Sequence, residues 1–225
     1  MTRFVKSACY LALFTLPAAT AAAQACVGTA SFASGPARLG VGIDFAKDAK
    51  QYGAQIAFGK PGGPFAAGSI GRIDVDDTDE SATSFGGELG YSLNISGKGS
   101  LEVCPILGLA YASAEASEGG VTVDVSSRAF SAGFAIGGVA ASTPTFSFVP
   151  SIGLAYVNQN VELESGGISV DASEDFGVIT LVPGLVFNQR ITFRPNAAFP
   201  VGLDDSDPTY GVGISFNFGS PSANR

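Results

Sequence analysis

Between Arg38 and Gly219 the chain repeats one pattern about ten times: large apolar side chains alternate with Gly, Ala, Ser or a lone charge over stretches of about eight to twelve residues. The last stretch shows it best, with Tyr210, Val212, Ile214, Phe216 and Phe218 in one phase and Gly211, Gly213, Ser215 and Asn217 in the other. A strand has a side-chain period of two, so each stretch reads as a strand with one oily face and one small or polar face. That pattern fits a barrel whose outside meets lipid.

The N-terminus carries an export address. Arg3 and Lys6 precede an apolar core at Ala8 to Leu16, and small residues end in Ala-Gln-Ala just before Cys26, the layout of a cleavable signal peptide over residues 1–25. The apolar run is far shorter than the roughly 20 residues a spanning helix needs. With no other such run, a mature chain that enters a membrane must do so as a closed β-barrel, because every backbone amide in lipid has to find a partner. The expected organisation is a periplasmic N-terminal segment at 26–37, a barrel at 38–219 and a short tail at 220–225. The expected fold class is all-β: a single antiparallel up-and-down transmembrane barrel of about ten strands, with eight as the alternative.

Composition excludes several functions. Net charge is −8, which argues against nucleic acid, since that partner needs a basic stripe. Histidine is absent, and with it the general base of the usual Ser-His-Asp arrangements. Gly-x-Gly runs such as Gly40-Val41-Gly42 fall inside strands and are packing features rather than nucleotide fingerprints. A non-enzymatic protein with no catalytic residues, no cofactor and no metal site is the expectation.

The connections fall into two sets. Short ones hold turn residues, as in Lys60-Pro61-Gly62-Gly63-Pro64 and Asn188-Gln189-Arg190. The others are longer and acidic, around Asp74 to Glu80, Glu115 to Ser127, Glu162 to Asp175 and Asp204 to Asp207. Short periplasmic turns and long external loops are the pattern of an outer-membrane barrel. A repeat supports the phasing: Leu101-x-Val103-x-Pro105, Phe146-x-Phe148-x-Pro150 and Ile191-x-Phe193-x-Pro195 recur every 45 residues, one hairpin apart. Proline cannot donate to a ladder, so each is expected near a bulge at the periplasmic end.

Side chains sort by height and by face. Tyr52, Tyr91, Tyr111, Tyr156 and Tyr210 fall in the outer halves of their strands and read as an aromatic girdle. Arg38, Asp44, Arg72, Glu88, Glu102 and Arg194 fall in the inward phase. Arg72 and Glu88 are near-equidistant from the acidic tip close to residue 80, so they are expected to be cross-strand neighbours at a narrow, low-conductance constriction. An oxidising compartment favours a Cys26–Cys104 disulfide closing the N-terminal segment onto the barrel. The alternative makes Cys26 a lipid-modified N-terminus, since Ala-Gln-Ala-Cys is a degenerate lipoprotein box.

Over Arg38 to Phe218 the chain resembles small bacterial outer-membrane β-barrel proteins of the porin-like, outer-membrane-protein β-barrel-domain superfamily. The resemblance implies a Gram-negative-type outer membrane, its lipid and the barrel assembly machinery as partners, with Phe216 and Phe218 of Gly213-Ile214-Ser215-Phe216-Asn217-Phe218 as the terminal assembly signal. The tail after Phe218 departs from that pattern. A fold of this kind hosts several roles. One expectation is a structural or narrow-channel barrel for small solutes. The alternative is a surface interaction or adhesion barrel whose acidic loops bind a partner or divalent cations, and a soluble barrel with its oily face inward is a third.

Overall fold

The computed structural model describes residues 25–219 apart from 77–80, 97–100, 119–120 and 204–205, with backbone only at 25, 116–118 and 121–122. The signal peptide, the 220–225 tail and the acidic tips at 77–80 and 204–205 therefore lie outside the described residues. Two short 3-10 turns, Ala25–Val27 and Phe32–Ser34, precede twelve strands. These are β1 (Ala37–Ala46), β2 (Ala49–Gly59), β3 (Pro64–Val75), β4 (Ser81–Tyr91), β5 (Leu93–Asn94), β6 (Leu101–Glu118), β7 (Val121–Gly138), β8 (Ala141–Ser142), β9 (Phe146–Ser165), β10 (Ile168–Phe187), β11 (Ile191–Val201) and β12 (Thr209–Phe218).

Ten of them close a ring. The order runs β1-β2-β3-β4-β6-β7-β9-β10-β11-β12, every pair antiparallel, and β12 returns to β1 with Phe218 opposite Ala37 and Tyr210 opposite Phe45. The short β5 and β8 pair with the periplasmic ends of β6 and β9. Ten strands in one closed up-and-down barrel is the architecture read from the alternation, and closure removes the edges that hydrocarbon cannot tolerate.

The alternation sets inside from outside. Leu39, Val41, Ile56, Leu107, Leu109, Ile152, Leu154 and Ile214 are all exposed on the outer surface. On β9 the outward series from Phe146 to Tyr156 is apolar and then gives way to Asn158, Asn160, Glu162 and Glu164. Ten residues at about 3.3 Å each, tilted by about 40°, give an apolar belt about 25 Å tall, the height of an outer-membrane hydrocarbon layer.

The proline repeats behave unequally. Beside Pro150 the register slips: Gly137 pairs with Ser151 but Ala141 pairs with Phe148, so four residues of one strand oppose three of the other and form the expected bulge. At Pro105 the β4–β5–β6 register runs through unchanged, and at Pro195 the β10–β11 ladder is only interrupted, resuming in register from Leu181↔Ala197 to Leu185↔Phe193. Bulges were expected at all three, and two are absent because a ladder can skip a proline's missing N–H without inserting a residue.

The acidic segments at Glu115 to Ser127 and Glu162 to Asp175, read from sequence as loops, are strand at 115–118, 121–127, 162–165 and 168–175. β6, β7, β9 and β10 reach 18 to 20 residues against 10 to 12 elsewhere in the ring. Val123, Val125, Val161, Leu163 and Val170 alternate with the acids, and β-branched alternation outweighs the polarity. The β9–β10 tip is a two-residue turn, Gly166 and Gly167 at φ +57° and +83°, a conformation that favours glycine.

The N-terminal segment fills the periplasmic mouth. Cys26 is bonded to Cys104 of β6, and both are fully buried. The chain then crosses the lumen: the Gly28 carbonyl packs against Gly184 of β10 so closely that a Cβ there would collide with it, Ala30 N–H donates to Thr192 of β11 at 3.1 Å, and Phe32 packs with Ala57 and Phe65. The disulfide closes a sequence separation of 78 residues. Replacing both cysteines by serine is expected to leave a barrel that still runs faster on gels unheated than boiled, while lowering its unfolding free energy in urea by about 2–4 kcal/mol.

Candidate functional site

The lumen is built in three layers. At the periplasmic end Arg38 is the anchor: its Nε donates to Asn217 Oδ1 at 2.8 Å, Nη1 donates to Thr29 Oγ1 at 2.7 Å, Nη2 donates to the Ala30 carbonyl, and its guanidinium lies 4.9 Å from the Phe32 ring centroid. Asn217 in turn donates to the Ser31 carbonyl at 2.9 Å. An inward charge on the first strand thus holds the plug, a role its position on β1 alone did not disclose.

The middle layer is polar. Arg194 of β11 and Glu88 of β4 are buried, and the Arg194 charge reaches both Glu88 and the partly buried Asp44 of β1. Asn196 donates to Asp44 Oδ1 at 3.2 Å. Across the ladder from Arg194 runs a row of inward glycines, Gly213, Gly42, Gly53 and Gly71, one on each of four adjacent strands. A Cβ at Gly53 or Gly213 would meet only backbone, so the wall leaves room for the long guanidinium. Gln51 with Ser84 adds a side-chain hydrogen bond at 3.4 Å, and Gln159 with Ser127 makes a buried one at 2.8 Å higher up, among the residues of the outer layer.

The outer layer is apolar. Ala49, Ile73, Ala82, Ala112, Val125 and Val161 pack together, and Ala129, Val157, Phe176 and Val178 form a second cluster beside them. The barrel is therefore occupied at its periplasmic, middle and outer levels. A recess of about 60 Å³ lies beside the plug, lined by Val27, Ile106, Ala135, Ala155, Thr180 and Val182.

The expected Arg72–Glu88 pair does not form. Arg72 opposes Thr83 and Glu88 opposes Ala67, five residues away along the hairpin, because Asp74 pairs directly with Ser81 and the tip lies nearer Arg72 than supposed. Arg72 also faces outward: Ile70 is 52% exposed and Ile73 is 0%, so Arg72 shares the face of Ile70. There its Nε meets Asp74 Oδ1 at 2.7 Å, next to a Lys50–Asp76 pair at 2.8 Å whose hydrogen bond and charge raise the lysine pKa. Arg38, Asp44, Glu88, Glu102 and Arg194 do face inward. The cation whose charge acts on Glu88 is Arg194, on the far side of the ring; parity puts both in the inward phase but does not say that they face each other.

The girdle is also revised. Tyr52, Tyr111, Tyr156 and Tyr210 lie outward in the upper part of the barrel, but Tyr91 ends β4 opposite Pro64, beside the periplasmic turn. The reason is that β4 begins at Ser81, earlier than its sequence suggests, and so it reaches the periplasmic side by Tyr91. Phe216 and Phe218 lie outward at the periplasmic end of β12.

Above the girdle, four strands stand clear of the barrel rim. Their outer face carries Asp124, Glu162, Glu164, Asp171 and Asp175, and their inner face continues the apolar alternation through Val161, Leu163, Ile168 and Val170. Asn158 donates to Asp175 at 2.7 Å, and this bond, with one from Tyr156, holds the Asp175 carboxyl below its ordinary range. No group of three or more His, Cys, Asp or Glu placed to hold a metal ion occurs among the described residues.

No protein-family model matches the chain, and no curated protein matches it significantly by sequence. Solved structures match by shape. The β domain of the Bordetella autotransporter BrkA is similar at 12% identity and TM-score 0.50, covering 81% of this chain and 98% of that one. The N-terminal β-barrel domain of Pseudomonas aeruginosa OprF aligns at 13% identity and TM-score 0.36, over 81% and 96% of the two chains. Ail, the attachment invasion locus protein of Yersinia pestis, aligns at 16% identity and TM-score 0.40, again over 81% and 96%. The protein has the fold of a bacterial outer-membrane β-barrel. With its lipid-facing belt, that fold makes the outer membrane its location.

The two arginines separate sharply in energy. Arg194→Met removes the buried cation whose charge acts on Glu88 and Asp44 and is expected to cost about 2 kcal/mol in urea unfolding. Arg72→Met removes only an exposed pair and should cost no more than about 1 kcal/mol in the same titration.

Proposed function

We propose that the protein is a non-enzymatic surface-interaction barrel, anchored in outer-membrane lipid and presenting its tall outer sheet to a partner. The observation that carries this reading is the contrast between the two ends of the molecule. The disulfide-held plug, the inward Arg194, Glu88 and Asp44, and the outer apolar cluster sit at successive heights of the lumen, whereas β6, β7, β9 and β10 build an acidic sheet well above the girdle. A diffusive path for small solutes would have to displace all three layers. Phe216 and Phe218 at the end of the closing strand are suited to recognition by the barrel assembly machinery.

Two measurements test the reading. In a planar bilayer the intact protein is expected to be silent, and steady ohmic steps would count for the channel reading instead. On cells, replacing residues 161–172 by two glycines removes the upper hairpin without touching the belt. Adhesion or aggregation conferred by the full protein should be lost with it; equal adhesion by the trimmed protein would end the surface reading.

A further inference from the structure

The outer sheet has an open side. β11 joins β10 only from Gly177, opposite Val201, so Ile168–Asp175 pairs with β9 on one side and with no described strand on the other. All eight of these residues are exposed, with Ile168 at 71% and Val170 at 58%. The two-residue turn makes Ser165 and Ile168 a hydrogen-bonded pair. By the alternation of an antiparallel ladder, the amides and carbonyls of Ser169, Asp171, Ser173 and Asp175 therefore point away from β9 into open space. The same odd phase bonds to β11 lower down, where Gly177 meets Val201.

The two faces of this edge differ in chemistry. Ile168, Val170 and Ala172 share the face of buried Phe176, with Glu174 the one charge in that phase, whereas Asp171 and Asp175 lie on the other, with Glu162 directly opposite Asp171 on β9. A free edge is a template for another strand, and its side chains decide which strand fits. We infer that the β10 edge binds an extended segment of a partner protein by strand addition, and that this segment alternates basic residues against Asp171 and Asp175 with apolar residues against Ile168 and Val170. This deepens the surface-interaction reading and rests on it. Carboxylates on the edge disfavour pairing with a second copy of this acidic chain and favour a cationic one.

The test uses the full barrel in detergent micelles and two labelled eight-residue peptides, one alternating Lys with Val and one alternating Glu with Val. The Lys-Val peptide should bind at least about tenfold more tightly by fluorescence anisotropy. It should slow hydrogen exchange at the amides of 169, 171, 173 and 175, the odd positions alone. Ser173→Pro removes an outward N–H while sparing the β9 ladder, so it should weaken binding at least about tenfold with the gel shift unchanged. Asp171→Lys with Asp175→Lys should invert the peptide preference, an outcome that stands even if the proline variant misfolds. Equal affinity for the two peptides, protection elsewhere, or no binding at all would overturn strand addition. Adhesion that is lost on trimming the hairpin but unaffected by Ser173→Pro would also overturn it, while leaving the broader surface reading in place.

Discussion

Everything in this molecule depends on pairing the backbone where there is no water to pair it. An amide left bare in hydrocarbon costs several kcal/mol, so the ladder between β1 and β12 is as necessary as any hairpin, although it joins residues as far apart in sequence as Ala37 and Phe218. That seam fixes the strand number and diameter, and with them a lumen slightly wider than side chains alone would fill. Glycine on four adjacent strands widens it further at the height of Arg194. The remaining contents of the barrel answer that space: an arginine reaching over the glycine wall in the middle, and a length of backbone threaded through the periplasmic end.

The plug and the seam are mechanically one unit. Arg38 lies on the closing strand β1, Asn217 faces it across the seam on β12, and both bond to residues 29–31 of the plug. Pulling the plug out would strip an arginine of two of its three acceptors, Thr29 Oγ1 and the Ala30 carbonyl, in a buried setting, a large penalty for a charged group. The disulfide holds the other end of the same segment against β6, so the plug is tied on opposite sides of the lumen.

The fold was legible because period two survives everywhere that lipid enforces it. Closed topology, ten strands, the lipid-facing series and the Cys26–Cys104 bond all follow from alternation, two thiols and an export signal. What escaped was register. A five-residue error in the register of one hairpin paired Glu88 with Arg72, when the ladder puts Arg72 on the outside and leaves Arg194 on the inside with Glu88. Local sequence sets the face of a residue but not its distant neighbour, since Glu88 and Arg194 are joined only by closure of the whole ring. The upper sheet was missed for a different reason: Glu and Asp there were read as loop solvation, although the Val and Leu between them carried the strand signal.

Above the girdle the constraint that built the ring lapses. Water can satisfy an amide there, so nothing forces β10 to keep a neighbour, and the strands on that side rise while β11 and β1 to β4 stop near the rim. An exposed edge of that length is a hazard for any secreted sheet, and charge is the common defence against unwanted pairing. The acidic residues of β9 and β10 meet that need toward copies of the same acidic chain. They do so without blocking the edge, because neither proline nor a covering loop occupies Ile168–Asp175 among the described residues. A defence that repels self while leaving the hydrogen-bonding groups bare is selective rather than absolute, and selectivity at an open edge is the property a binding surface requires.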